Sequence, residues 1–312
     1  MIRPTVWRAC AALGALLVGS QTLSLRADLV VLVPVADTTL IEEAPINNSG
    51  GVPFVNAGTT QNFTRNRGLF RFDLRSGIPA GASVTSAEFI VEVVGKPKDG
   101  FAPSPFGLHR LLKPWGEGTQ VADPGHPGLG AAAGPGEATW NDRFAFTTNA
   151  WNEPGGAPGS DFVAAASAEA TVYGLEDSPY TFGPTPALAA DVQTWIDAPD
   201  GNFGWALVGQ TEPVDFTARR FASREDASRA ALLRVAFLPP PRIEHAAVVG
   251  SNLVLQFTAR AGQVCVVESR ERFASGTAWL ELTNVPAPPA LTNVTVVDPL
   301  SPGQRFYRLR LP

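Results

Sequence analysis

The side chains able to carry chemistry are few and scattered through this sequence. Three histidines, His109, His126 and His245, lie in a strand pattern, in a Gly/Pro-rich loop and after a proline run. None stands in an HExxH or other metal-ligand spacing, which argues against a zinc site. No G-x-S-x-G elbow and no phosphate-cradling glycine loop before a helix is present. The acidic pairs Glu42-Glu43, Glu176-Asp177 and Glu225-Asp226 are adjacent in sequence. Glycoside hydrolysis needs two carboxyls facing each other, whereas neighbours on a strand point to opposite faces. These pairs read as solvated turn charge, and the expectation is that the chain is not an enzyme.

Binding chemistry is the better prospect. Trp151 and Tyr180 lie among Pro, Gly and polar residues, where a ring stays exposed and is able to stack on a sugar face. Arg65, Arg67 and Arg143 are the expected charges for acidic sugar groups, against the plain reading of ordinary surface arginines. A structural calcium is carried as an expectation too, held by Asp37, Asn48 and Glu225 should the first and last strands lie close together. No EF-hand-like spacing supports it.

Positioning these residues falls to strands. The 312 residues include 30 Gly and 28 Pro with only 17% charged side chains, and few long stretches keep a helical period. Many short strands joined by turns follow from that. The organising stretch runs from Arg65 to Val94. Leu69, Phe70 and Phe72 form one strand, residues 76–81 a Pro/Gly turn, and Val84, Ala87, Phe89, Val91 and Val93 an alternating second strand. Two such strands predict an antiparallel pair with one packed face. Leu188, Val192, Trp195 and Ile196 keep helical spacing and predict one short helix stopped by Pro199 and Gly201. Residues 120–138 and 149–161 are so rich in Ala, Gly, Pro and Asp that they are expected as mobile surface loops. The fold class is all-β: an antiparallel, jelly-roll-like β-sandwich with one short helix over residues 28–238, a stiff proline linker over 239–241, and a small β-sandwich domain over 242–312.

Arg3 and Arg8 precede the apolar run ACAALGALLVG and a small-residue exit ending at Ala27, the pattern of a signal peptide over residues 1–27. Removing it takes away three arginines and no acid, moving the net charge from −5 to −8. That acidity disfavours nucleic acid as a partner. Cys265 is then the one remaining cysteine, read as a buried small hydrophobe, so no intramolecular disulfide is expected. No later segment is long and apolar enough to span a membrane. The expected location is secreted, extracellular or periplasmic.

Several words of the sequence resemble the DNRLRE domain, a secreted bacterial β-sandwich akin to family-96 carbohydrate-binding modules. An arginine-rich strand ends in Arg71-Phe72-Asp73-Leu74 and is followed by I-P-x-G-A-x-V-T-S-A from Ile78 to Ala87. Asp37-Thr38-Thr39 matches the opening A-D-T, Asn48 and Gly50 the N-x-G, Trp115 to Thr119 the W-x-E-G-T, Thr139-Trp140-Asn141 the T-W-N, and Ser223-Arg224-Glu225 the S-R-E. The resemblance covers about residues 35–237, with Ala231 where the family usually has proline. It makes Trp115, Trp140, Trp195 and Trp205 shared framework positions, hence core. Gly262 to Ser269, Trp279 and Arg305-Phe306-Tyr307-Arg308 resemble the small β tails of exported planctomycete-like proteins. The resemblance implies a secreted, non-catalytic protein that binds an extracellular polysaccharide. The alternatives are a structural or adhesive cell-surface or matrix protein and, further off, a polysaccharide lyase or glycoside hydrolase.

Overall fold

A computed structural model describes residues 27–98, 100–272 and 278–311; residues 1–26, which hold nearly all of the expected signal peptide, lie outside them. The chain divides after Pro240 into two compact units. In the larger unit the elements run β1 (Asp28–Leu32), β2 (Pro34–Ile41), β3 (Asn47–Asn48), β4 (Phe54–Thr59), β5 (Arg65–Phe72), β6 (Ser83–Val91) and β7 (Val93–Gly95). There follow β8 (Ser104–Arg110), β9 (Ala131–Ala132), β10 (Ala168–Val172), β11 (Tyr180–Phe182), α1 (Pro186–Asp197), β12 (Trp205–Gly209), β13 (Arg219–Ala222) and β14 (Leu232–Leu238). One antiparallel sheet has the order β1-β14-β6-β11, and the other β10-β8-β12-β5-β4-β13-β7, with β2 joined to β5.

The inner faces of the two sheets meet over a core built from Phe70, Phe72, Phe89, Phe106, Phe182, Trp195, Trp205 and Phe221, all at most 2% exposed. These rings pack edge to face, as in Phe70–Phe89 at 5.2 Å and Trp195–Trp205 at 4.4 Å between centroids, the arrangement that ring quadrupoles favour. The helix forms as its spacing predicts. Thr185 accepts a hydrogen bond from the Leu188 amide, Pro186 opens the first turn, and Leu188, Val192, Trp195 and Ile196 are buried. This is the capping chemistry of a helix start.

The organising stretch corrects an expectation. β5 and β6 do not pair with each other: β5 lies between β12 and β4 in the large sheet, and β6 between β14 and β11 in the small one. They face each other across the core through Phe70, Phe72 and Phe89. The connection between them spends its length on a 3-10 turn over Leu74–Ser76, capped by Asp73, which carries the chain from one layer to the other.

β5 is buried on both faces over Asn66–Phe70, although its sequence, RNRGLFRF, alternates polar and apolar residues. On its outer face Leu69 joins Ala36 and Leu40 of β2 and Ala206 and Val208 of β12 in a second core. The cover over this layer comes from the two Gly/Pro-rich segments expected to be mobile loops, which supply Ala138, Trp151 and the neighbouring Trp140 and Phe162. They are tied down by specific groups. The Asn48 amide donates to the carbonyls of Glu117 and Ala138, at 2.7 and 2.9 Å. The Asp161 carboxylate, fully buried, accepts from the amides of Asn152 and Ala157. Side chains that satisfy the backbone let a segment poor in apolar residues lie flat on a core.

Among the described residues three non-glycine positions have positive φ, and all are phenylalanines: Phe63 at 59°, Phe146 at 60° and Phe216 at 56°. A left-handed backbone costs an L-residue about 1–2 kcal/mol.

The second unit continues with β15 (His245–Val249), β16 (Asn252–Ala259), β17 (Cys265–Arg270), β18 (Leu280–Val285), β19 (Thr292–Pro299) and β20 (Phe306–Arg310). Two three-stranded antiparallel sheets, β15-β16-β19 and β18-β17-β20, enclose Leu255, Phe257, Cys265, Val267 and Val296. The Trp279 ring sits between the guanidiniums of Arg270 and Arg308, at 4.7 and 4.4 Å. Glu268 accepts from both Arg308 and Arg310.

Candidate functional site

The rings expected as sugar platforms are interior groups. Trp151 is 5% exposed and donates its indole N–H to the Thr139 carbonyl at 2.9 Å. Tyr180 is 7% exposed; its hydroxyl donates to the Gly174 carbonyl and accepts from the Tyr173 and Gly174 amides. Polar neighbours in the sequence did not mean an exposed ring, because the polar ends of both side chains found backbone partners.

The three arginines are committed as well. Arg67, 7% exposed, makes a bidentate pair with Glu212 at 2.7 and 2.8 Å and donates to the carbonyls of Gly155 and Gly156. Trp140 and Phe162 flank its guanidinium. Arg65 lies over Trp140 and pairs with Glu42, whose carboxyl this hydrogen bond holds below its ordinary pKa. Arg143 braces a loop by donating to the carbonyls of Ala150 and Pro114. His109 is a core histidine: Nδ1 donates to the Val163 carbonyl and Nε2 accepts from the Gln210 amide, and burial lowers its pKa.

The expected calcium ligands do not form a cation cage. The Asn48 side-chain oxygen accepts from the Gly50 amide at 2.9 Å, and its nitrogen is spent on carbonyls. Asp37 is 1% exposed and accepts from the Arg224 amide at 2.8 Å. Arg224 Nε lies 2.6 Å from Glu117 and 3.1 Å from Glu225. The Glu117 and Glu225 carboxylates thus share one guanidinium, and Asp37 holds the backbone amide of the same residue. Burial, chiefly, pushes Asp37 well above the usual carboxylate range and raises Glu117, with Glu225 nearby adding to both. Among the described residues no group of three or more His, Cys, Asp or Glu is arranged to hold a metal ion. Asp37, Asn48 and Glu225 are each hydrogen-bonded to protein groups.

A different place on the large sheet carries uncommitted polar groups. The register sets Arg220 of β13 opposite Asn56 of β4 on one side and Gly95 of β7 on the other. Asn66 of β5 stands opposite Gly58 of β4 and Ile41 of β2. The two-residue period puts Asn56, Asn66, Ile41 and Arg220 on one face. They floor a groove of about 360 Å³, with Thr60, Gln61 and Asn62 from the β4–β5 turn, Lys96 and Lys98 after β7, and Gly128 and Leu129 among its walls.

The electrostatics of this groove run against those of the chain. Lys96, Lys98, Arg219 and Arg220 are among its lining residues with the carboxylate of Glu43, but Lys96 lies 3.8 Å from Glu176 and Arg219 is turned inward. Arg219 is 1% exposed, and its guanidinium donates only to carbonyls, those of Tyr173, Thr217, Ala218 and Ala102 among them. Arg220 stacks 4.4 Å over Phe54 and has no hydrogen bond or ion pair among the described residues. Burial lowers the pKa of both guanidiniums. Gly95 makes room for Arg220, since a Cβ there would meet the Arg220 Cδ at 3.0 Å. The side-chain oxygen of Asn66 is buried at the groove floor with no hydrogen-bond partner among the described residues.

No family model matches the chain, and no curated protein does. The groove residues were missed in the sequence, although one signal was available: Lys96 and Lys98 are two of only three lysines and stand two residues apart.

Proposed function

We propose that this is an exported, non-catalytic protein that binds an extracellular polysaccharide, with a sandwich of the DNRLRE type as its binding module and the β4–β5–β13 groove as its binding site. The observation that carries this reading is the half-buried Arg220, stacked on Phe54 and without an acidic partner among the described residues, beside the amides of Asn56, Gln61, Asn62 and Asn66. Amides offer donors and acceptors to sugar hydroxyls. A desolvated guanidinium without a counter-charge offers a bidentate fork to a carboxylate or sulfate. An acidic protein repels a polyanion at long range, but that field is screened within about 8 Å at physiological salt. At contact Lys98 and Arg220 decide the sign.

The test is retention of the protein in affinity gels containing neutral and anionic polysaccharides, with calcium and with chelator. Arg220→Met keeps the stem over Phe54 and removes the charge. Loss of a charge-assisted hydrogen bond is expected to weaken binding about 10- to 100-fold. Retention without any difference between Arg220→Met and the parent protein refutes the groove. Release of reducing sugar or unsaturated product refutes the non-catalytic reading. A blank across the panel together with self-association supports a structural role instead.

A further inference from the structure

The groove supplies charge and amides, but Phe54 is covered by Arg220, Phe221 is buried in the core, and Phe101, 36% exposed, is stacked by Lys96 at 4.2 Å and Arg219 at 4.9 Å. A pyranose chain also presents apolar C–H faces, which bind best against an exposed ring. An uncovered ring next to the lining residues in the chain meets that need. The β4–β5 turn, whose Thr60, Gln61 and Asn62 line the groove, continues with Phe63, which is 67% exposed. We infer that Phe63 is the stacking platform for a pyranose ring of a glycan lying in this groove, an inference that rests on the polysaccharide-binding reading above.

The backbone argues for it independently of exposure. The turn is tightly specified: the Thr60 amide donates to the Thr64 carbonyl at 2.9 Å, the Phe63 amide to the Thr60 carbonyl at 3.2 Å, and the two threonine hydroxyls meet at 2.7 Å. Such a turn ends in a left-handed residue, a position that Gly or Asn fills without strain. Here Phe63 fills it with φ of 59°, and it stays mostly exposed. An exposed, strained aromatic residue in a turn that ordinary turn residues would stabilise is a sign that the ring has a task outside the fold. The locked turn also fixes the ring's base, so little freedom is lost on binding. Phe146 shares the left-handed backbone and is 78% exposed, but its loop contributes no residue to the groove and serves as the control.

The experiment compares the parent protein with Phe63→Ala, Phe63→Trp, Phe63→Asn and Phe146→Ala. The probes are polygalacturonate, dextran sulfate, neutral dextran and, as an anion with no sugar ring, inorganic polyphosphate. On whichever saccharide the parent protein binds best, Phe63→Ala is expected to weaken binding at least about tenfold, equivalent to about 1.4 kcal/mol. Phe63→Trp is expected to retain binding and Phe146→Ala to leave it unchanged. Any affinity for polyphosphate should survive Phe63→Ala, since that contact uses charge alone. Phe63→Asn should lose saccharide binding while raising the melting temperature, because Asn accepts the left-handed backbone. Saccharide binding unaltered by Phe63→Ala overturns the platform and leaves the groove standing. A fall in melting temperature for Phe63→Asn and Phe63→Ala, with no rescue by Phe63→Trp, overturns it by making the ring structural. A parent protein that binds none of the saccharides overturns the polysaccharide reading and the platform with it.

Discussion

Replacing Glu212 by glutamine isolates one buried charge with almost no change of shape. Arg67 has four hydrogen bonds: two to the Glu212 carboxylate and two to the carbonyls of Gly155 and Gly156. Glutamine keeps one acceptor and removes the counter-charge, leaving a guanidinium between Trp140 and Phe162. Breaking a buried ion pair by removing one partner costs about 3–5 kcal/mol. The Glu212 side chain is 18% exposed, so water reaches the pair from that side, and the lower end, about 3 kcal/mol, is the expected loss. That is a large share of a typical domain stability of about 5–15 kcal/mol. Arg67→Met removes the charge but strands the two glycine carbonyls, at about 1–3 kcal/mol each for buried unsatisfied groups. The double variant Arg67→Met/Glu212→Leu should cost less than the sum of the single changes, giving a coupling of about 1–3 kcal/mol. Urea unfolding followed by tryptophan fluorescence reads all of these, provided the m-value stays constant. If only the segment over the second core is released, protease cuts near residues 152–160 appear before global unfolding. A loss below about 1 kcal/mol for Glu212→Gln at unchanged m would refute the claim that this pair is structurally buried. Glycan binding that disappears in Arg67→Met while stability holds would refute its assignment as a tether.

Two further outcomes follow from the titrating groups. Asp37 has a folded-state pKa raised above its ordinary value, so the folded state takes up its proton first. Its contribution to stability is fully present at low pH and is lost as pH rises through the raised value. Asp37→Asn should therefore gain stability relative to the parent protein as pH goes from about 4 to 7. A relative loss over that range, measured by urea titration at each pH, contradicts the burial account. Comparison of variants is needed because Glu42, lowered by Arg65, acts in the opposite sense. Cys265 is fully buried, and burial raises its thiol pKa. In a chain beginning at Asp28 it should react with an aromatic disulfide reagent only as fast as the protein opens. Stoichiometric reaction within seconds under native conditions shows that the tail core does not close around it.

Much of the fold was legible because side-chain period reports which face is buried. Leu188, Val192, Trp195 and Ile196 announced α1, and Phe89 and Val91 announced the inner face of β6. Period does not report which strand lies alongside, and so β5 and β6 looked like a hairpin when they are opposite walls of the core. The site was less legible. Whether an arginine is free depends on who reaches it from elsewhere in the chain. Glu212 is 145 residues from Arg67, and nothing local to either residue indicates the pair. Conversely, Arg219-Arg220-Phe221 alternates in a way that sends Arg219 and Phe221 inward and Arg220 to the groove, but only the strand register, with Gly95 alongside, reveals that Arg220 has room and no acid. Trp151 and Tyr180 failed as platforms because loop composition predicts exposure only when the loop has nothing to lie on.

The second apolar layer changes what can be removed from this protein. The Gly-, Ala- and Pro-rich chain between β8 and β10 has the composition that guides truncation, and a shortened version would look like an improvement on paper. Its removal would uncover Leu40, Leu69, Ala206 and Val208 in adjoining strands of one sheet, a flat aliphatic surface of the kind that joins molecules together. The excised protein would keep its inner core and its strand order and still be expected to precipitate. For this architecture, the dispensable parts are to be found by asking which backbone groups a segment's side chains satisfy, and the sparse-looking segments are where trimming does the most harm.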